Sequence, residues 1–284
     1  MVLRALLLLA ASVGISLAPA IACDLQTSTN QTSHAGYIEN VQTCLRVLPD
    51  GYSFDEAIEL DNVRRVNDAR AKRGLPRLAI RRDLRETARW HSMDMAANKY
   101  FSHRGKDNRS HAQRISLLDR TLLFDAAREN IAMMRGDIDL GTESKTLHDL
   151  LMESEGHYKN IMADNVSHIA VGVVRFDDGV WLTQLFINEA GEFSAPVPIR
   201  LTPGQTLDLD TRLRDWTFAG FQAEQGSETK RFKTNRSDGR SVVPRVLYGD
   251  VRIGVRGEKR PTSEQPRGFY INLSGPSATI LAPR

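Results

Sequence analysis

The sequence predicts an α+β protein, an α-β-α sandwich followed by a small all-β domain. Two segments, 54–73 and 82–99, carry apolar residues at helical spacing. A later segment, 166–188, alternates apolar and polar residues on either side of Asp177-Asp178-Gly179, as a β-hairpin does. After Ser194 no helical period of any length appears, and strand-like runs are separated by Pro and Gly. Helices on both sides of a short antiparallel sheet therefore form the first unit, and strands form the second.

A change of charge marks the boundary between these units. Residues 5–193 carry 22 Lys and Arg against 26 Asp and Glu, whereas residues 194–284 carry 15 against 9. Gly191, Pro196 and Pro198 fall at this change. We predict four parts: a signal peptide (1–22), an amino-terminal arm (23–53), the sandwich domain (54–190) and a β-rich domain (194–284).

The amino terminus has the pattern of a secretory signal. Arg4 precedes an apolar run centred on residues 6–9, and Ala20-Ile21-Ala22 offers small residues for cleavage after Ala22. The run ends before Pro19, and no other run approaches the roughly 18 apolar residues that a transmembrane helix needs. The sequence therefore predicts a secreted or periplasmic protein without a transmembrane segment.

The chain has two cysteines, Cys23 and Cys44, and both precede the predicted sandwich. In an oxidising compartment they are expected to form one disulfide that ties down the amino-terminal arm. The alternative is a lipid anchor on Cys23, because this residue directly follows a small residue after an apolar run. Ala20 stands where such signals usually have leucine, and lipidation would leave Cys44 unpaired, so the disulfide is favoured.

The first predicted helix, 54–73, ends before a Gly-Leu-Pro sequence at 74–76. The second, 82–99, has one face on which apolar residues and His91 recur at steps of four, three and four, namely Leu84, Ala88, His91 and Met95. His91 is therefore predicted to point inward, as a hydrogen-bonded histidine of the core or its boundary.

Between the second helix and the hairpin, a loop over 100–108 contains His103. His111 is predicted to be solvated, and Arg114 to hold the loop through charge-assisted hydrogen bonds. A strand is predicted to begin at Glu129, and a helical pattern resumes over 144–153.

The carboxy-terminal part is predicted to be a small β-sandwich or barrel. Its strand-like runs are 197–201, 206–213, 217–222, 246–255 and 269–273. A basic cluster lies among them and consists of Lys230, Arg231, Lys233, Arg236, Arg240 and Arg245. The cluster is interpreted either as a solvated loop or as a contact for an anionic surface, such as a polysaccharide or phospholipid headgroups. Few aromatic residues are interleaved with it, which argues against nucleic acid.

Five sequence blocks between residues 54 and 188 occur in an order that resembles the CAP superfamily (cysteine-rich secretory proteins, antigen 5 and pathogenesis-related-1 proteins), in particular its bacterial secreted branch with SCP domains. They are Phe101-Ser102-His103, Glu129-Asn130-Ile131-Ala132, residues 153–162, Val171-Gly172-Val173 and residues 181–186. The resemblance covers about half of the chain and also implies an α-β-α sandwich.

Members of this family have a cleft lined by two histidines and two acidic residues. The resemblance places the first histidine at His103, the first acid at Glu129 and the second histidine at His157. The second acid is open between Glu153, Glu155 and none, because the family's usual tryptophan and the serine or glutamate after it correspond here to Leu151 and Ser154. Ala127-Arg128 also departs from the small or glycine residues usual before the first acid.

Some family members bind a divalent metal through these histidines, and two imidazoles with a carboxylate are good ligands for zinc. Glu129 is interpreted either as a third ligand or as a group that orients a histidine. His103 and His157 are 54 residues apart, so their convergence is implied by the resemblance alone. A hydrogen-bonded cluster that fastens the loop to the sheet is the structural alternative.

Two functions are compatible with these observations. The first is a secreted binding module for a lipid, a sterol or a cell-envelope glycan. The second is a metal-assisted hydrolase of peptide or glycan. The sequence contains neither His-Glu-x-x-His nor Gly-x-Ser-x-Gly, so binding is favoured. The ligand, the oligomeric state and the role of the β-rich domain are not encoded in any motif of the sequence.

Overall fold

The computed structural model of the chain describes residues 23–26, 32–136, 141–226, 228–231, 233–234, 240–259 and 267–282. The predicted signal peptide lies outside these residues. The helices are α1 (His34–Arg46), α2 (Glu56–Ala71), α3 (Arg82–Ala97), α4 (His111–Leu118), α5 (Glu143–Glu153) and α6 (Glu155–Ile161). The strands of the first half are β1 (Tyr52–Phe54), β2 (Ala79–Ile80), β3 (Leu122–Arg135), β4 (His168–Phe176) and β5 (Gly179–Phe193). Those of the second half are β6 (Arg200–Leu201), β7 (Thr206–Asp208), β8 (Thr211–Leu213), β9 (Thr217–Gln225), β10 (Glu228–Arg231), β11 (Lys233–Thr234), β12 (Arg240–Val242), β13 (Gly249–Lys259), β14 (Phe269–Leu273) and β15 (Ser277–Ile280).

The predicted α-β-α sandwich is confirmed. Its sheet has the strand order β1-β4-β5-β3, with β2 paired to β4 and β8 paired to β5. Helices α2 and α5 pack on one face through Val66 and Leu147, whereas α3 and α4 pack on the other through Ala88 and Ile115. Strand β3 lies at one edge of this path, which leaves its side open to loops and short helices.

The predicted β-hairpin is formed by β4 and β5, and Phe176 pairs with Gly179 across its turn. Asp177 in the turn adopts a left-handed backbone conformation (φ 52°), which aspartate tolerates better than most residues do. Residues of β4 and β5 are buried on both faces of the sheet, because helices cover both faces.

The amino-terminal arm contains helix α1, a segment to which the sequence analysis assigned no secondary structure. Tyr37 and Val41 pack in one apolar cluster with Trp90 of α3, and the Trp90 indole donates a hydrogen bond to the Tyr37 hydroxyl at 2.7 Å. The predicted Cys23–Cys44 disulfide is present, with its Cα atoms 4.7 Å apart. Because this bond uses the Cys23 sulfur, that sulfur is not free to carry a lipid.

Strand β3 begins at Leu122, seven residues before the predicted start at Glu129. Its first residues pair with the far end of β5, with Leu122 opposite Glu192. Register shifts on either side of Phe124 interrupt the period of two, which explains why the prediction missed this half of the strand.

The carboxy-terminal strands form a sheet of order β10-β9-β13-β15-β6, with β14 on β13, and a small sheet of β11, β12 and β7. Their core includes Leu123 and Phe193 from the sandwich, and Arg120 donates hydrogen bonds to the carbonyls of Val197 (2.7 Å) and Ser277 (2.5 Å). Apolar packing therefore continues across the boundary at which the net charge changes sign. That residues 194–284 fold as a separate domain stays a prediction, which limited proteolysis can test.

Part of the basic cluster lies outside the described residues. Arg240 and Arg245 are exposed. Arg236 is outside the described ranges, as are the side chains of Lys230, Arg231 and Lys233. Among the helices that the structure describes, none is both long and apolar enough to cross a membrane.

Candidate functional site

His103 lies in the loop that follows α3. The helix ends at Ala97, and Lys99 adopts a left-handed conformation (φ 51°) that turns the chain out of the helix. The His103 side chain is 51% exposed, and its Nδ1 atom lies 3.0 Å from Oε1 of Glu129. One ring nitrogen therefore faces the carboxylate, and Nε2 is left as the outward-facing atom.

Glu129 is almost completely buried, with 1% of its side chain exposed. Arg114 Nη2 donates to Glu129 Oε2 at 2.6 Å, so both carboxylate oxygens have partners. Burial by itself raises the pKa of Glu129, but the Arg114 charge and the hydrogen bond with His103 outweigh it and lower the pKa to about 2. Glu129 is therefore ionised at any physiological pH.

Arg114 connects the loop to the strand, as the sequence analysis predicted. Besides Glu129, it donates to the backbone carbonyls of His103 (3.1 Å) and Arg109 (2.8 Å). Its position is set by α4, which begins with a capping box between Ser110 and Gln113. This cap fixes the first turn of the helix from which Arg114 projects.

His157 reaches the same cleft from α6, which packs beside β3. Its ring lies 6.3 Å from the His103 ring, centroid to centroid, with an angle of 63° between the planes. Burial, and then the proximity of His103, lower the pKa of His157. The structure thus brings together His103, Glu129 and His157, although 54 residues separate the two histidines.

A network of four amides, three of them buried, holds α6 against the sheet. Asn130 donates to the His157 carbonyl (3.1 Å) and to Gln184 Oε1 (2.9 Å). Asn160 donates to Asn130 Oδ1 (2.9 Å), and Gln184 donates to Asn62 Oδ1 (2.6 Å). Sequence reasoning assigned no role to these amides. Asn130 and Gln184 could have been found, because each is a polar residue inside a strongly apolar strand.

His91 points inward, and its residue is fully buried. Its Nε2 atom lies 3.0 Å from the carbonyl oxygen of Ser102 and 3.8 Å from Glu129 Oε1. Because a carbonyl only accepts, Nε2 carries the proton. Burial, followed by the charge of Arg114, lowers the pKa of His91 to about 3, so the ring is neutral.

His111 differs from the sequence prediction, which left it solvated. Its Nε2 atom lies 3.1 Å from the Ala127 carbonyl, and the residue is partly buried. Burial lowers the pKa of His111. The first turn of α4 packs against β3, which encloses the ring.

The candidates for the second acid lie at the surface. Glu153 is exposed, and Glu155 pairs with Lys159 one turn along α6 at 2.6 Å with 84% of the Glu155 side chain exposed. Leu151, at the place of the family's tryptophan, is buried against α2.

The cleft supplies only some of the ligand atoms that a divalent cation requires. The free Nε2 of His103 and the ring of His157 are suitable zinc donors. Both oxygens of Glu129 already have partners, which suits the orienting role rather than direct ligation. Within the described part of the chain, no three His, Cys, Asp or Glu side chains are arranged to hold one metal ion.

An apolar groove of about 430 Å³ lies farther along β3. Its apolar lining consists of Met95, Ala96, Tyr100, Phe101, Met133, Phe176 and Trp181. Lys99, Arg135 and Asp177 also line it. Met133 follows Glu129 by four residues on the strand, so the Cα atoms of these two residues are roughly 13 Å apart.

Comparisons with known proteins agree with the motifs. Residues 63–186 match the profile of the cysteine-rich secretory protein family, CAP. The chain is 35% identical over 136 residues to the uncharacterized protein YkwD of Bacillus subtilis, covering 47% of this chain and 48% of that protein. It is 34% identical over 135 residues to the uncharacterized membrane protein YlbC of the same organism, covering 48% and 34%. The chain thus spans less than half the length of these curated relatives.

Solved structures with similar parts include an extracellular protein containing a SCP domain from Bacillus anthracis, with 27% identity and a TM-score of 0.42 over 48% of this chain and 41% of that one. An outer surface protein from Borrelia burgdorferi has 20% identity and a TM-score of 0.39 over 45% of this chain and 89% of that one. Residues 63–186 form a CAP domain, as the order of sequence blocks implied.

Proposed function

We propose that this protein is a secreted binding module whose CAP domain holds an apolar or amphiphilic ligand of the cell envelope, a lipid or a sterol, without turning it over. The observation that carries the proposal is the apolar groove beside β3. Its volume of about 430 Å³ falls in the range of ligand sites, which bury most of a small apolar molecule.

The residues of the lining suit an apolar ligand with an anionic end. Met95, Met133 and Trp181 belong to one apolar cluster at the base of the groove, and Phe101 is half exposed at its mouth. Methionine side chains adapt to irregular apolar ligands, and aromatic rings offer large apolar faces. Lys99 is exposed in the lining, where it suits an anionic headgroup.

The histidine cleft has a supporting role in this proposal. His103 and His157 would hold a divalent cation such as zinc, and Glu129 would orient His103 through Nδ1. When bound, such an ion supplies a Lewis acid and lowers the pKa of a coordinated water. Arg114 fixes Glu129 and the loop carbonyl of His103, and Asn130 donates to the carbonyl of His157, so this chain's own residues position both histidines.

A metal-assisted hydrolase is the second candidate, and the chemistry of Glu129 makes it the weaker one. A general base needs a pKa near the working pH and an open contact to the proton it removes. Glu129 has a pKa of about 2, and both of its oxygens are occupied. Glu153 and Glu155 are exposed, and neither supplies a carboxylate inside the cleft.

The groove is tested with a dansyl-labelled fatty acid and a fluorescent sterol, titrated separately into the purified protein. Met133→Trp fills the groove and is expected to weaken binding of the preferred probe about tenfold or more. Leu150→Trp adds the same side chain at an exposed position of α5 and is the matched control. If neither probe binds the native protein, or if Met133→Trp binds as well as the control, the proposal is wrong.

A further inference from the structure

The sheet of the carboxy-terminal part has an outer face with its own cavity. Its inner face packs Phe221, Val255 and Leu273 into the core. On the outer face, a cavity of about 410 Å³ is lined by Gln222, Thr229, Arg256, Tyr270 and Asn272. These residues come from β9, β10, β13 and β14, so the cavity crosses four adjacent strands.

Strand register places several of these side chains next to one another. Arg256 pairs with Asn272, and Gln222 pairs with Gly254. Gly254 has no side chain, and a Cβ there would meet the Leu273 carbonyl oxygen at 2.6 Å. The same Cβ would meet the Gln222 side chain at 3.4 Å, so Gln222 lies over the backbone of Gly254 at the centre of the outer face.

Arg256 is the charged group of this cavity. Its guanidinium lies 3.7 Å from the centre of the Tyr270 ring, a cation–π contact that holds the side chain in place. Within the described residues Arg256 makes no ion pair, whereas Arg252 on the same strand is paired with Glu224. None of the lining residues is a carboxylate. An ordered guanidinium that has no ion-pair partner in the described part of the chain is complementary to a carboxylate, which it binds in a bidentate manner.

The neighbours of Arg256 favour a ligand rich in hydroxyl groups. The Asn272 amide and the Thr229 hydroxyl can both donate and accept hydrogen bonds. The Gln222 amide nitrogen donates to Glu224 Oε1 at 3.0 Å, and its carbonyl oxygen can accept a hydrogen bond. Tyr270, with 53% of its surface exposed, offers an apolar ring, and its hydroxyl donates to Glu258 Oε1 at 3.4 Å. A carboxylate together with many hydroxyls is the chemistry of an acidic sugar chain, and residues 194–284, with 15 Lys and Arg against 9 Asp and Glu, favour its approach.

We propose that this outer face, which we call the Arg256–Tyr270 face, binds an acidic glycan. A sugar carboxylate contacts Arg256, sugar hydroxyls contact Gln222, Asn272 and Thr229, and a ring lies against Tyr270. This site is separate from the groove and the histidine cleft of the CAP domain, since it shares no residue with them.

The test uses the full-length protein and an oligogalacturonate as the acidic glycan. The same oligomer with its carboxylates methyl-esterified keeps the hydroxyls and removes the charge. Calorimetry at moderate salt is expected to show binding of the acid form, with the ester at least about tenfold weaker because the charge-assisted contact is lost. Equal binding of the two oligomers, or binding of neither, would overturn the proposal.

Variants assign the binding to the face. Arg256→Gln and Tyr270→Ala are each expected to weaken acid-form binding about tenfold or more. Arg212→Gln removes an equal charge from an exposed position of the neighbouring β8 and is expected to leave binding unchanged. If Arg256→Gln and Arg212→Gln weaken binding equally, the attraction is a general effect of positive charge and the proposal fails. Arg256-dependent binding to vesicles of anionic phospholipid, without oligogalacturonate binding, would identify a phosphate ligand and also overturn it.

Discussion

Arg114 and Glu129 form a buried ion pair at the base of the histidine cleft, with Nη2 and Oε2 2.6 Å apart and no more than 2% of either side chain exposed. The pair joins α4 to β3 and the loop to both. Glu129 in turn contacts His103. The geometry of the cleft therefore depends on a residue that does not face it.

Arg114→Ala is expected to lower the free energy of unfolding by about 3 to 5 kcal/mol, because Glu129 would remain buried without a partner. Urea denaturation at pH 7 measures the change. Arg64→Ala, which breaks surface pairs with Asp61 and Asp68, is the control and is expected to change stability little. The double variant Arg114→Ala/Glu129→Ala should lose less unfolding free energy than the two single variants lose in sum. If the losses simply add, the two residues are not coupled.

Stability is expected to fall as the pH drops below about 6.5. The pKa of His91 is lowered from its ordinary value of 6.5 to about 3 in the folded state. As the pH falls, the unfolded state therefore takes up this proton first, and the stability that the neutral ring contributes is lost from pH 6.5 downward. The pKa of Glu129 is lowered from 4.5 to about 2, so its contribution is complete above pH 4.5 and is lost between pH 4.5 and 2.

Denaturation curves at pH 7.5, 5.5 and 3.5 separate these two groups. His91→Gln should reduce the loss from pH 7.5 to 5.5, where Glu129 does not titrate, and Glu129→Gln should reduce only the loss from pH 5.5 to 3.5, to which both groups contribute. A native-like pH profile in His91→Gln would exclude the first contribution.

Zinc is expected to bind weakly between His103 and His157. Alanine at either histidine should abolish binding in titration calorimetry, whereas alanine at His91 or His148 should preserve it. Glu129→Gln should weaken binding about 10- to 100-fold without abolishing it, as loss of an orienting group does.

Protons compete with the metal for the imidazoles, so zinc affinity should decline below pH about 6. Unchanged binding in the His103 and His157 variants would leave the hydrogen-bonded cluster as the role of these residues. Circular dichroism of each variant checks that the fold is retained.

The secreted chain is expected to start at Cys23 and to carry the Cys23–Cys44 bond. Intact mass spectrometry measures both features at once. A diacylglycerol adduct with a free thiol at Cys44 would contradict this expectation. The double variant Cys23→Ser/Cys44→Ser should be less stable by about 2 to 4 kcal/mol, since the bond closes a loop with a sequence separation of 21.

The sequence by itself determined the elements whose pattern is local. The hairpin around Asp177-Asp178-Gly179 and the helices α2 and α3 follow from the spacing of apolar residues over one short window. The inward direction of His91 follows from the same spacing on α3. The Cys23–Cys44 bond followed from the even number of cysteines in a chain with a secretion signal.

Only the tertiary structure decided which distant residues meet. His103 and His157 approach each other because α6 packs beside the edge strand β3, and no local period encodes that arrangement. Local patterns also do not encode the contact of His111 with the Ala127 carbonyl, the start of β3 at Leu122 or the cation–π contact of Arg256 with Tyr270. Each of these contacts depends on strand order and on packing between elements far apart in the chain, and both arise only when the whole core is assembled.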